Sequence, residues 1–154
     1  MGASTSKTAV VVYRGTIKGT VVFQKNQGEA QVVITCDLTG LTPGKHGFHI
    51  HEYGDLREGC KSACAHYNPD GKPHGDLDDF DSHAGDLGNL VADKNGFCKQ
   101  ILRTYKFDIP DIIGRCLIIH AKADDLGKGD NADSRITGNS GDRSACEIIG
   151  LAAA

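Results

Sequence analysis

Hydrophobic and polar residues alternate with a period of two along much of the first forty residues of this chain. In the segment 17–23, one face is mostly apolar and consists of Ile17, Gly19, Val21 and Phe23. In the segment 30–38, the corresponding face consists of Ala30, Val32, Ile34, Cys36 and Leu38. Because successive side chains of a strand point to opposite faces, this spacing predicts two half-buried strands.

Turn-forming residues divide the apolar segments at 26–28, 42–44 and 93–96, and the last of these, Asp93-Lys94-Asn95-Gly96, is a strong hairpin signal. Further predicted strands are Ala9–Arg14, Gly44–His51, Gly85–Ala92, Phe97–Tyr105, Arg115–His120 and Ala145–Leu151. Short strands separated by frequent turns predict an all-β fold, either an antiparallel sandwich or a barrel.

Two stretches, 52–84 and 121–144, fit neither a strand nor a helix and are rich in Gly, Asp, Asn, Ser and Lys. Loops of this length are uncommon inside a compact domain and are usually functional. A disordered linker is the alternative, but the placing of histidines in and beside these stretches argues against it.

At 154 residues the chain has the length of a single domain, 1–154. Its net charge of −3 argues against a nucleic-acid partner, which would require basic patches. No apolar run reaches the length of a membrane span, and the first residues lack the apolar region of a secretory signal. We therefore expect a cytoplasmic protein without a membrane partner.

Six cysteines occur along the chain: Cys36, Cys60, Cys64, Cys98, Cys116 and Cys146. In the cytoplasm the default expectation is reduced thiols. Cys60 and Cys64 have a loosely zinc-like spacing, but no second pair follows at zinc-finger distance, so a zinc finger is not expected.

Histidine carries the strongest chemical signal. Six of the seven histidines form a spaced series: His49, His51, His66, His74, His83 and His120. His49 and His51 project from the same face of a predicted strand and can chelate one ion. His66, His74 and His83 with Asp86 suit tetrahedral Zn²⁺, whereas an imidazole-rich site with an open position suits copper. The count is too high for one four-coordinate ion and indicates two ions that share ligands.

The chain resembles the copper/zinc superoxide dismutases from about Ala9 to Leu151. The matching motifs are residues 47–55, 59–60, 66–69, 74–75, 83–89, 120–129 and 138–146. The resemblance implies a Greek-key antiparallel barrel or sandwich of about eight strands with two long functional loops.

By position, the resemblance assigns copper to His49, His51, His66 and His120. It assigns zinc to His66, His74, His83 and Asp86, so that His66 would bridge the two ions. Asp124 would hydrogen-bond His49 and His74 across the two sites. Cys60 and Cys146 would form a disulfide, and His46 would pack without binding metal.

The implied reaction converts two superoxide anions to O₂ and H₂O₂, with copper alternately reduced and oxidised and His66 taking up and returning a proton. Arg143 would dock the anion, and Lys122 would help to attract it. The resemblance also implies a homodimer built from Val10–Val12 and Ile148–Leu151, and a copper chaperone is a possible partner.

Some positions depart from the family pattern. Ile136 stands where a lysine is common, and Asp76-Leu77 replaces a common Gly-Pro. Residues 121–144 hold four cations against five aspartates, so strong electrostatic steering is not expected. Cys64 could compete for Cys146.

Three other readings remain: a related metallochaperone domain, a metal-storage protein and an exported dismutase. The metallochaperone is disfavoured because every ligand position and Arg143 are filled. The storage protein is disfavoured because it would need neither Arg143 nor the Gly-rich second loop, and the exported dismutase because no signal region is evident.

Overall fold

The computed structural model describes residues 7–153. The strands are β1 (Lys7–Arg14), β2 (Lys18–Lys25), β3 (Val32–Thr39), β4 (Gly44–His51), β5 (Arg57–Cys60), β6 (Asp86–Ala92), β7 (Cys98–Thr104), β8 (Cys116–His120), β9 (Arg143–Ile148) and β10 (Gly150–Leu151). One short α-helix, α1 (Ile109–Ile112), lies between β7 and β8, and short 3-10 helices occupy Lys61–Ala63 and Ala132–Arg135.

Nine of these strands form two open antiparallel sheets. One sheet has the order β10-β1-β2-β3-β7 and the other has the order β6-β4-β8-β9. The chain leaves the first sheet after β3, forms β4 and β6 in the second, returns as β7 beside β3 and crosses again as β8 beside β4. This Greek-key sandwich confirms the expected fold class, and of the two architectures considered the sandwich is the one observed.

The core lies between the sheets and follows the alternation of the sequence. Val32, Ile34, Cys36 and Leu38 of β3 are all buried, and Phe48 and Ile50 face them from β4. Ala30, which the pattern also placed on this face, is exposed and precedes β3. Tyr13 in β1 donates its hydroxyl to the backbone carbonyl of Leu117 in β8 at 2.8 Å, which joins the two sheets through a buried hydrogen bond.

One predicted strand is divided in the structure. The segment Ala145–Leu151 splits into β9 and β10 at Ile149, a fully buried residue whose backbone exchanges hydrogen bonds with Gly114 and Arg115 instead of a strand partner. The chain therefore changes sheets here, and Leu151 pairs with Ala9 of β1.

The two long loops follow β4 and β8. We call residues 52–85 the metal loop and residues 121–142 the second loop. They touch each other directly, since the backbone N–H of His74 donates to the carbonyl of Arg135 at 2.8 Å. Within the described residues, no helix has the length and apolar character that a membrane crossing requires.

Candidate metal centre

Three of the candidate ligands come from neighbouring strands of the four-stranded sheet. His49 and His51 lie on β4 and His120 ends β8, while Phe48 and Ile50 of β4 point to the core between the sheets. On the opposite face of β4 the histidines are also buried, at 0% exposure for His49 and 1% for His51. Burial on both faces arises because the two loops cover the outer side of this sheet.

A first cluster consists of His49, His51, His66 and His120, which each offer a donor atom within 4.8 Å of the others. The metal loop contributes His66, and its backbone forms a bridge with His51. The rings stand close together, with His49 and His120 centroids 4.8 Å apart. Four imidazoles are thus concentrated in one buried space, which is the donor set that copper or zinc prefers.

In this cluster, each of the three histidines that lie on strands has one ring nitrogen hydrogen-bonded to a protein oxygen. His49 Nε2 lies 2.5 Å from Asp124 Oδ2, His51 Nδ1 lies 2.8 Å from the Cys64 carbonyl, and His120 Nδ1 lies 3.2 Å from the Gly141 carbonyl. The other nitrogens are buried and have no hydrogen-bond partner among the residues that the structure describes: His49 Nδ1, His51 Nε2 and His120 Nε2. Buried polar atoms are rarely left unpaired, so these three nitrogens fit a metal ion well.

A second cluster surrounds Asp86, whose Oδ1 lies 3.0 Å from His66 Nδ1, 2.9 Å from His74 Nδ1 and 3.2 Å from His83 Nδ1. Four donors of a tetrahedral zinc with bonds of 2.0–2.1 Å would stand about 3.3 Å apart. The observed spacing therefore fits Zn²⁺. His74 Nδ1 is close to Asp86 Oδ1 but forms no hydrogen bond of good geometry with any residue in 7–153, as expected of a nitrogen that faces a metal position.

His66 belongs to both clusters. Its Nδ1 lies against Asp86 and His83, at 3.0 Å and 3.1 Å respectively, so Nε2 is the nitrogen left for the first cluster. His49 also lies within 4.8 Å of the second cluster, but Asp124 engages its Nε2 and only Nδ1 is free. The two clusters are therefore adjacent and joined by one imidazole ring.

The electrostatics keep most of these rings neutral. Burial is the main cause that lowers the pKa of His51 to about 2 and of His120 to about 4, and it also lowers the pKa of His49 and His66. His74 differs. Burial would lower its pKa, but the adjacent carboxylates of Asp124 and Asp86 outweigh burial and raise the pKa to about 9.

The carboxyl group of Asp86 behaves in the opposite way to an isolated buried acid. Burial would raise its pKa, but the close imidazoles of His66, His74 and His83 hold the pKa far below its usual range. Its Oδ2 accepts backbone N–H bonds from His83 at 2.8 Å and Gly75 at 3.1 Å. Asp86 is therefore an anion with one oxygen anchored and the other facing three imidazoles.

Asp124 connects the two clusters, because its carboxylate contacts one histidine of each. Its carboxylate accepts from His49 Nε2 and, at 2.7 Å, from His74 Nε2. The amide side chain of Asn89 holds the backbone of Asp124 in turn, at 2.7 Å and 3.0 Å. Gly138 lies against this bridge with φ of +75°, and a Cβ atom there would stand only 2.0 Å from Asp124 Oδ1. A glycine is therefore required at this position.

Arg143, at the start of β9, pairs in register with His120. Its guanidinium donates to the carbonyls of Cys60 at 2.7 Å and Cys64 at 2.6 Å. Its charge contributes to lowering the pKa of both His51 and His120, so it lies close to the first cluster. No carboxylate in the described part of the chain forms a salt bridge with it.

A disulfide joins Cys60 and Cys146, as the resemblance implied, and corrects the default expectation of six reduced thiols. Cys36, Cys98 and Cys116 are buried thiols, whereas the thiol of Cys64 is exposed. Cys64 does not take the place of Cys60. Instead, its carbonyl binds both His51 and Arg143, and its φ is +62°.

His46 packs without joining either cluster. Its Nδ1 lies 2.7 Å from the carbonyl of His120 and its Nε2 lies 2.7 Å from the carbonyl of Thr42. The structure thus separates this histidine from the other six. Sequence reasoning missed Asn89, the carbonyl of Cys64 and Lys106, none of which stands in a pattern typical of a metal site.

Fold and site together define a class: a Greek-key β-sandwich protein with two adjacent, imidazole-rich candidate metal sites that share one histidine.

Comparisons with known proteins narrow this class. The family model described as copper/zinc superoxide dismutase matches residues 17–149. A superoxide dismutase [Cu-Zn] of Paramecium bursaria Chlorella virus 1 is 48% identical over 94% of this chain and 79% of its own length. An extracellular superoxide dismutase [Cu-Zn] of Onchocerca volvulus is 44% identical over 99% of this chain and 80% of its own length. Superoxide dismutase [Cu-Zn] 5 of Dictyostelium discoideum is 43% identical over 94% of this chain and 97% of its own length.

Among solved structures, the clock protein EA4 superposes with a TM-score of 0.91 at 43% identity and covers 99% of both chains. The chain belongs to the copper/zinc superoxide dismutase family. It is an enzyme that converts two superoxide anions to O₂ and H₂O₂, and its cofactors are copper and zinc.

Proposed function

We propose that the two clusters divide the metals between them. Copper binds His49, His51, His66 and His120, and zinc binds His66, His74, His83 and Asp86. The observation that carries this proposal is the set of buried imidazole nitrogens without a protein partner, which lie on His49, His51, His74 and His120. Among residues 7–153, Asp86 is the one carboxylate at the centre of the second cluster, which favours zinc there, while the four donors of the first cluster are imidazoles.

When bound, copper supplies the change of oxidation state that dismutation needs, and zinc acts as a fixed cation. The chain's own residues do the rest. His66, whose Nδ1 faces the second cluster, is the group that holds and returns a proton at Nε2. Asp124 orients His49 and His74 together, which keeps the liganding nitrogens turned inward.

We propose further that Arg143 docks the superoxide anion. Two of its N–H groups bind carbonyls, and a guanidinium has five N–H donors, so three remain. Because its charge meets no carboxylate partner among residues 7–153, it can attract and hydrogen-bond a small anion.

Ligand substitutions test the division of metals. His120→Ala should lose copper and nearly all superoxide consumption while the fold remains. Asp86→Ala should lose zinc first and lower the melting temperature, since a metal bound only by the native state stabilises it. Metal content, superoxide consumption and thermal melting are measured on both variants.

Two outcomes would contradict the assignment: full activity in copper-free His120→Ala, or unchanged zinc content in Asp86→Ala. Bound metal without any superoxide consumption in the wild type would indicate a storage protein.

We also propose a homodimer. The terminal strands that the resemblance assigns to the interface, Val10–Val12 and Ile148–Leu151, carry exposed apolar side chains: Val12 at 38%, Ile148 at 44% and Leu151 at 69% exposure. β1 and β10 are paired, with Val10 opposite Gly150, so Val12 and Leu151 belong to the same edge of one sheet. Light scattering should give twice the chain mass for the wild type. The substitution Leu151→Lys should lower the measured mass towards that of the monomer. A wild-type monomer at micromolar concentration would refute the dimer.

The remaining proposals are a single domain over residues 1–154, a cytoplasmic location and copper delivery by a chaperone. The four free thiols favour a reducing compartment, although the disulfide would also suit an oxidising one. The deep burial of the copper ligands, at 5% exposure or less, favours assisted loading. Fractionation of cells tests the cytoplasmic location. Copper content with and without a chaperone tests assisted copper delivery.

A further inference from the structure

Lys106 reaches from the end of the five-stranded sheet into the metal loop. Its Nζ donates to Ser82 Oγ at 3.1 Å, to the carbonyl of His83 at 3.0 Å and to the carbonyl of Asp86 at 2.6 Å. An ammonium group has three N–H donors, so every donor of Lys106 is used. Two of the three acceptors belong to residues whose side chains face the second cluster.

The base of this side chain is held in place. The backbone N–H of Lys106 donates to Thr104 Oγ1 at 3.1 Å. Thr104 is 3% exposed, and the next residue, Phe107, is 6% exposed and part of the main core. Lys106 therefore projects from a fixed segment, and its ammonium group can transmit that fixed position to the metal loop.

The segment that Lys106 binds is a tight turn. The backbone N–H of Asp86 donates to the carbonyl of His83 at 3.0 Å, and the N–H of His83 donates to Asp86 Oδ2 at 2.8 Å. These bonds fix His83 and Asp86 relative to each other. Gly85 joins the turn to β4 and to the metal loop through backbone bonds with Ile50 at 2.8 Å and Tyr67 at 2.9 Å. Lys106 adds the attachment to the opposite, five-stranded sheet, and it does so at His83 and Asp86 themselves.

The surrounding charges favour an ammonium group at this point. Asp76, Asp78, Asp79 and Asp86 are close enough to act on Lys106 electrostatically. The ammonium group of Lys106 is thus balanced by nearby carboxylates and hydrogen-bonded to the backbone of His83 and Asp86. The ionic attraction strengthens these hydrogen bonds, and their geometry fixes where the turn lies.

We propose that Lys106 is a positioning residue for the zinc site. It holds the turn 83–86 so that His83 Nδ1 and Asp86 Oδ1 converge before zinc arrives. The inference rests on the proposed zinc ligands. Partners that orient metal ligands typically change metal affinity by 10–100-fold when they are lost, and Lys106 acts in this way through the backbone rather than through a ligand side chain.

The test compares Lys106→Met with Lys72→Met. Lys72 is a matched control, because its Nζ also donates to a carbonyl of the metal loop, that of Phe80 at 2.9 Å, but away from the ligands. Zinc affinity of the metal-free chain is measured by competition with a chelator. We expect zinc to bind about 10–100-fold more weakly to Lys106→Met and unchanged to Lys72→Met. Cobalt placed in the zinc site should show an altered visible spectrum only in Lys106→Met.

Wild-type zinc affinity and an unaltered cobalt spectrum in folded Lys106→Met would overturn the proposal. If that variant does not fold, Lys106→Arg takes its place: it keeps the charge but cannot direct three bonds from one atom, and wild-type affinity would again overturn it. Asp86→Ala is measured in parallel. If it retains zinc, the ligand assignment has failed, whereas loss of zinc in Asp86→Ala alone would count against Lys106 only.

Discussion

His49, His51 and His120 each present a defined ring nitrogen to the first cluster, because a protein oxygen binds the other nitrogen. The hydrogen bond decides the tautomer, since the nitrogen that faces a carbonyl or carboxylate must carry the proton. Two of the three oxygens are backbone carbonyls, of Cys64 and Gly141, so side-chain substitutions at these two positions leave the acceptors present. Asp124 is the exception, and its loss would affect both clusters.

Ser140 offers a prediction about stability. Ser140 is 2% exposed, and its hydroxyl has no hydrogen-bond partner within the described part of the chain. An unpaired buried hydroxyl is unfavourable, so Ser140→Ala should raise the free energy of unfolding by about 1 kcal/mol. Chemical denaturation of the wild type and of Ser140→Ala measures this difference in the free energy of unfolding.

Ser134→Ala is the control for this prediction. Ser134 is equally buried, but its hydroxyl donates to Asp125 at 2.7 Å and accepts from the N–H of Gly129 at 2.8 Å. Removing it should destabilise the protein by roughly 1–3 kcal/mol. The same sign of change in both variants would contradict the argument.

Arg143 carries a prediction about rate. Arg143→Glu should lower the superoxide rate constant strongly, because it replaces an attracting charge by a repelling one near His120. Copper content and melting temperature should change little. Higher salt should slow the wild type by screening and should slow the variant less, or speed it. Stopped-flow measurements over a range of ionic strength test this, and equal salt dependence in both proteins would exclude a role in sensing the anion's charge.

At the scale of elements, alternation predicted the strands wherever one face meets the core. It was weakest for β7, an edge strand in which Ile101 points outward at 56% exposure. It could not foresee that Ile149 would divide the last strand, because that break depends on hydrogen bonds to Gly114 and Arg115. Motif matching supplied the histidines that the structure brings together, but Lys106 bonds carbonyls that have no sequence signature.

The second loop should weaken in acid through Asp125. Burial would raise the pKa of this carboxyl group, but hydrogen bonds from Ser134, Asn139 and Gly127 hold the pKa below its ordinary value. A lowered folded-state pKa means that the stabilisation is complete above the unfolded value and is lost as pH falls through the folded one. Asp125→Asn should therefore show less loss of stability below about pH 4 than the wild type.

Thermal melts of the two metal-free proteins between neutral and acid pH measure this difference. Metal-free chains are used because acid also releases metals from histidine ligands. If the melting temperatures of wild type and Asp125→Asn fall equally with pH, this carboxylate does not contribute to the loss of stability in acid.

For the whole molecule, the disulfide between Cys60 and Cys146 closes a chain segment with a sequence separation of 86. Chain-entropy models assign about 4–5 kcal/mol to a loop of this size, less any strain in the native state. Cys146→Ser should lower the free energy of unfolding by up to this amount. Cys64→Ser, which removes an exposed thiol, should change it little. Equal effects of the two substitutions would mean that the cross-link does not stabilise the fold.

The first cluster is assembled from β4, the metal loop and β8, and Arg143 reaches it from β9, which pairs with β8. During synthesis, the chain cannot complete this arrangement until residue 143 has left the ribosome. His49 and His51 emerge early and would wait in an unfinished sheet, while Cys60 waits as a free thiol for Cys146. The order of residues along the chain therefore fixes an order of assembly. Copper that arrives before residues 121–143 are in place meets imidazoles that Asp124 and Gly141 do not yet orient, and no Arg143 lies beside them.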